Sequence, residues 1–153
     1  HSRHSFNAGE YVYEYDVSTR VEATGNVACE RSMYWDNRAG MHGSVGVSSP
    51  STTWYLAEGC TAGGFETWIM VQNPGDEAVD VTLNFMTGSG EVAGPAATLP
   101  PRSRRTFNAG EYVADYEVST RVSASGGVVC ERSMYWGRGS IGTAGHNSIG
   151  SPY

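Results

Sequence analysis

The heptapeptide FNAGEYV stands at residues 6–12 and again at 107–113. It belongs to a longer match. SFNAGEYVYEYDVSTRVEATGNVACERSMYW (5–35) aligns without a gap on TFNAGEYVADYEVSTRVSASGGVVCERSMYW (106–136). Phe6 falls on Phe107, Cys29 on Cys130 and Trp35 on Trp136, a constant offset of 101 residues. About three quarters of the aligned positions are identical, which marks a tandem duplication. The tails HGSVGVSSP (42–50) and HNSIGSP (146–152) also correspond. The chain therefore divides into the second half of a repeat unit with a linker, 1–50, and a complete unit, 51–153. One and a half units are expected, as in a window cut from a longer array. The two CERSMYW segments are then expected in equivalent surroundings.

Composition sets the class. Twenty glycines and 11% aromatic residues in 153 fit a turn-rich β fold better than a helical one. The net charge of −6 is spread along the chain and every cation is arginine, so the clustered basic surface that nucleic acid requires is missing. No apolar run of about 18 residues exists to span a membrane as a helix.

Short extended segments follow one another through the complete unit. STTWYLAEG (51–59) opens it. ETWIMVQN (66–73) is apolar on both faces, with Trp68 and Met70 on one and Ile69 and Val71 on the other, as in a strand covered on both sides. NPGD (73–76) predicts a type II turn. VDVTLNF (79–85) alternates, with Val79, Val81, Leu83 and Phe85 inward. VAGPAATL (92–99) reads as an edge strand because of Pro95. SRRTFNA (103–109) is extended, and AGEYVADYE (109–117) has room for one helical turn. VSTRVSA (118–124) alternates again, and Gly126–Gly127 predicts a turn into VVCERSMYW (128–136). The expected fold is all-β, an immunoglobulin-like antiparallel β-sandwich, with a small barrel as the alternative.

Cys29, Cys60 and Cys130 leave two pairings open. A Cys60–Cys130 bond closes the unit on itself, worth about 4 kcal/mol on loop entropy, and leaves Cys29 to a residue outside the window. A Cys29–Cys60 bond staples one unit to the next. Either implies an oxidising compartment. No CxxC accompanies the four histidines, so no metal site is expected. No cofactor motif is present: the glycines form neither a phosphate loop nor a dinucleotide fingerprint.

Two side-chain groups invite a functional reading. Glu131 with Glu58 has the residue types of a glycosidase pair; the structural reading is a Glu–Arg network with Arg132 or Arg121 as partner. Trp54, Tyr55, Trp68, Tyr135 and Trp136 suit stacking on sugar rings; the structural reading is core and inter-unit packing. In both cases the structural reading is preferred, and an enzyme is not expected. His42 and His146 lie in Gly/Ser-rich stretches with no nucleophile elbow nearby. The tract 39–53 has the composition of a linker.

WYLAEGCTAGGFETWIMVQNPGDEAVDVTLNFMTGSGEV, LPPRSRRTFNAGEYV, VSTRV and CERSMYW together resemble the tandem modules of roughly a hundred residues in large secreted or surface proteins of actinobacteria and related bacteria, a domain of unknown function. The resemblance covers essentially the whole chain and brings no catalytic residue. It implies an extracellular, repeated, β-rich module. In that family a small residue such as Ser often stands at the position of Cys60 and Ala or Val at that of Cys130, which implies an added pair bonded to each other. The expected function is structural: a unit of a stalk, sheath or filament, its partners neighbouring copies stacked end to end. The alternative is a carbohydrate-binding or adhesive module for surface glycans.

Overall fold

The computed structural model describes residues 1–137 and 142–153. Ten strands carry the fold: β1 (Glu30–Trp35), β2 (Gly40–Val45), β3 (Ser51–Leu56), β4 (Glu66–Asn73), β5 (Val79–Thr87), β6 (Gly90–Leu99), β7 (Ser103–Asn108), β8 (Ser119–Trp136), β9 (Ala144–Ile149) and β10 (Ser151–Pro152). The helical elements among the described residues are short 3-10 turns, Ala8–Glu10, Asp36–Arg38 and Ala109–Glu111. Every strand pairing is antiparallel.

Residues 51–153 form a two-layer β-sandwich. One sheet runs β10-β3-β8-β5-β6, the other β7-β4-β8-β9. Strand β8 belongs to both. Its first part, 119–124, lies between β3 and β5; its second, 129–136, lies between β4 and β9. The expected turn at Gly126–Gly127 is therefore a corner within one 18-residue strand. The glycines permit the corner because Val79 and Pro50 press on the chain there: a Cβ on Gly126 would meet Val79 Cγ2 at 3.0 Å, and one on Gly127 would meet Pro50 Cβ at 3.1 Å.

The alternation in β5 holds, with Val79, Val81, Leu83 and Phe85 all buried. They meet Trp54 and Leu56 of β3, Ile69 and Val71 of β4 and Val122, Val128 and Cys130 of β8 in one core. Strand β6 is an edge, pairing with β5 alone among the described strands, in keeping with Pro95. The NPGD turn differs from expectation. Gly75 is not in the positive-φ region that a type II turn demands at its third residue. Instead the Asn73 side chain closes an Asx turn, its Oδ1 accepting from Gly75 N at 3.0 Å. Asn73 Nδ2 donates to the carbonyls of Glu77, Leu99 and Pro100 at 2.8, 3.2 and 2.9 Å.

The first copy is organised differently. Residues 1–29 form no strand and are almost wholly exposed. Only the ERSMYW hairpin, β1–β2, is built, and it lies face-on against β9 and the outer side of the second sheet. The equivalent surroundings expected for the two CERSMYW segments are not found. Cys130 lies buried within the central strand β8, whereas Cys29 is exposed just before β1. The physical reason is the ladder: 119–136 pair with β3, β4, β5 and β9, whereas among the described residues 18–29 pair with no strand and 30–35 only with β2.

The cysteine pairing is corrected too. All three thiols are free. Cys60 is held at Thr67, whose Oγ1 accepts from Cys60 N at 2.9 Å and donates to Cys60 O at 2.7 Å. Cys130 lies opposite Val71. Thr67 and Val71 are four residues apart on one strand, about 13 Å, whereas disulfide-bonded residues need Cα atoms within about 7 Å. Cys29 sits outside the sandwich just before β1, so a Cys29–Cys60 staple is not formed either. Ser51 Oγ donates to Tyr153 O at 3.0 Å, so the unit begins and ends at the same edge.

Candidate functional site

The hairpin that ends each copy gathers polar and aromatic groups, and its strands pair in the same register in both copies. Met134 pairs with His146 and Trp136 with Ala144; Met33 pairs with His42 and Trp35 with Gly40. Facing residues of antiparallel strands share a side. Arg132, Met134, Trp136 and His146 thus form one face in the complete unit, and Arg31, Met33, Trp35 and His42 form its counterpart.

In the complete unit that face turns inward at the mouth of the sandwich. The buried Arg132 donates to Glu58 Oε2 at 3.1 Å, and its other terminal nitrogen lies 3.3 Å from His146 Nε2. His146 Nε2 is also 3.3 Å from Glu58 Oε2, a contact that becomes an ion pair only when the imidazole is protonated. Burial lowers the pKa of Arg132, and the Glu58 carboxylate opposes that shift. Trp136 stacks on Phe65 with centroids 5.7 Å apart and meets His146 edgewise at 6.4 Å.

In the first copy the same face rests on the complete unit. Arg31 donates to Glu131 Oε2 at 3.4 Å. His42 Nε2 and the Tyr135 hydroxyl are 3.0 Å apart. Trp35, His42 and Tyr135 form a three-ring cluster, with Trp35 edge-on to Tyr135 at 5.6 Å and tilted to His42 at 5.4 Å. Burial, helped by the charges of Arg31 and His146, pushes His42 down to about 4, and its Nδ1 is buried without a partner. Burial raises Tyr135. Upstream, Asp16 crosses to β7 and accepts from Arg104 at 2.7 Å and from Thr106 at 2.6 Å. Burial lowers Arg104, with Asp16 opposing.

These placements sort the residues singled out from the sequence. Trp54 is fully buried in the core, its Nε1 donating to Val128 O at 2.8 Å, so it offers no stacking surface. Tyr55 is part-exposed beside Tyr153. Trp68 is half-buried on the outer side of β4, its Nε1 donating to Glu66 at 3.0 Å. Tyr135 packs between copies and Trp136 within the unit. Glu131 pairs with Arg31 rather than Arg132 or Arg121, which bind Glu58 and Glu91. Because Glu131 and Arg132 are consecutive in a strand, Glu131 and Glu58 lie on opposite sides of the sheet and share no reaction space. Sequence reasoning missed Asp16, Arg31 and Arg104. The register of the repeat carried the signal for Arg31, since Arg132 is its counterpart. Among the described residues no group of three or more His, Cys, Asp or Glu is placed to hold a metal ion.

No protein-family model and no curated protein matches the chain. Solved structures do. A Thermotoga maritima protein, Thermotoga maritima 1070, is similar at 16% identity and a TM-score of 0.59, over 68% of this chain and 96% of its own. The Anabaena sensory rhodopsin transducer is similar at 19% identity and a TM-score of 0.49, over 57% of this chain and 99% of its own. The first likeness supports the sandwich fold alone.

Proposed function

We propose that this chain is a section of a repetitive extracellular protein of a bacterial surface, a stalk, sheath or fibre whose working parts are the contacts between copies. The observation that carries the reading is the hairpin joint. The ERSMYW face of one copy lies on Glu131 and Tyr135 of the next, and the polar and aromatic groups involved come from the repeat itself. Its extracellular place rests on the resemblance to secreted tandem modules; the free thiols add nothing to it. Because Ser51 and Tyr153 adjoin, units in such an array sit side by side along a line of linkers. Stability in an array of this kind is a sum of unit and neighbour terms. Electron microscopy of the native cell surface tests the reading. Regular fibres or sheaths labelled by antibody to this chain are expected, and dispersed single sandwiches from a gene without tandem copies would overturn it.

A second reading, a glycan-binding or adhesive module, is favoured by one residue. Trp68 presents a half-buried indole on the outer side of the second sheet, where a flat sugar can stack. Polysaccharide pull-down by the full chain, lost in Trp68→Ala without loss of fold, is its expected result; retention of no glycan by the unaltered chain would end it.

A further inference from the structure

Residues 2–45 carry a second set of the side chains that complete the sandwich. Phe6, Val17, Val21, Val27 and Cys29 stand at the register of Phe107, Val118, Val122, Val128 and Cys130. The latter five are all buried in the core, whereas Phe6, Val21, Val27 and Cys29 are exposed. The likeness begins before the long match, since SRHSFN (2–7) parallels the β7 sequence SRRTFN (103–108). It ends with a hairpin in identical register.

We propose that segment 2–45 is an interaction surface whose partner is the half-sandwich 51–102 of this same sequence, and that it competes with 103–149 to complete it. The inference stands on the repeat and the core alone, and holds whether or not the parent protein builds a surface fibre. Connectivity allows it. In the complete unit four residues, 150–153, carry the chain from Ile149 to the side of Ser51. Val45 has the register of Ile149, and five residues, 46–50, join it to Ser51. A unit ordered 2–45 then 51–102 is thus a circular permutation of 51–149, and such rearrangements are tolerated where termini adjoin.

The bias toward 103–149 has a visible cause. Gly127 has Pro50 so close that a Cβ would sit 3.1 Å from its ring, and the first copy has Asn26 there. Elsewhere the core positions are filled by the same residues, so the two segments differ at few sites that matter for packing.

Thiol labelling of the full chain tests the competition. In the unaltered protein a maleimide modifies Cys29 and spares the buried Cys60 and Cys130. The variant Val122→Asp/Val128→Asp places two carboxylates in the core of the C-terminal copy. The pattern is expected to exchange: Cys130 becomes reactive, Cys29 slows by more than about tenfold because a buried thiol reacts only through opening, and Cys60 stays protected. Adding Val21→Asp then exposes all three. Labelling of all three cysteines in the double variant would overturn the proposal. So would a pattern unchanged from the parent.

Discussion

Residues 107–130 and 6–29 are nearly the same sequence in two physical states. Phe107 is 5% exposed and Phe6 76%; Val122 is 0% and Val21 57%; Val128 is 0% and Val27 63%. The AGE 3-10 turn nevertheless forms in both copies. Asn7 Oδ1 accepts from Gly9 N at 3.2 Å, and Asn108 Oδ1 from Gly110 N at 3.0 Å. The ERSMYW hairpin forms in both as well. Elements closed by neighbours in sequence are therefore local properties of the repeat. The long strand is not: β8 exists because β3, β4 and β5 take up its hydrogen bonds and cover its apolar side chains.

The comparison can be broken most forcefully at its tryptophans. Trp54→Ala removes a fully buried ring with two indole hydrogen bonds and is expected to cost about 3–5 kcal/mol in urea denaturation. Trp35→Ala is expected to leave that unfolding transition in place and release only the hairpin. Next in size is the valine pair. Val122→Ala should cost about 2 kcal/mol, and Val21→Ala, at the same place in the repeat, should fall within about 0.5 kcal/mol of zero. Equal losses at the two positions would mean that the first copy is also part of a core.

The hairpin joint responds to pH. His42 has a pKa of about 4 when docked, against an ordinary 6.5 when released. Between those values the released form binds more protons, so docking weakens as pH falls from about 6.5 to about 4 and is flat on either side. Arg31 and His146 act on the ring through their charge, and the Tyr135 hydroxyl lies 3.0 Å from its Nε2. Histidine chemical shifts followed by NMR check the window, and His42→Gln should flatten the curve. The smallest effect is expected at the exposed rim. Glu131→Gln removes a part-exposed ion pair and should shift docking by about 0.5 kcal/mol.

Much of the sandwich was legible in the sequence because period-two alternation reports burial directly. The inward set of β5, the doubly apolar β4 and the edge character of β6 each follow from side-chain type. What failed were inferences from local punctuation. Gly126–Gly127 reads as a turn, but its glycines relieve a tertiary contact with Val79 and Pro50. Pro74–Gly75 reads as a type II turn, but the Asn73 side chain outcompetes it. The cysteine count invited a disulfide, but Cys60 is tied to Thr67 while Cys130 lies opposite Val71, four residues further along β4, and both thiols are free. At the joint, the repeat offset carried a signal for Arg31, which stands at the place of Arg132, but none for the partners of Arg31 and His42, because which surface receives an incomplete copy is decided in three dimensions.

Hydrogen exchange on the full chain tests the central contrast most directly. Amides of 119–129 are expected to exchange slowly and those of 18–28 almost as fast as in an unstructured peptide, although the two stretches share most of their residues. Equal protection of both would contradict the account.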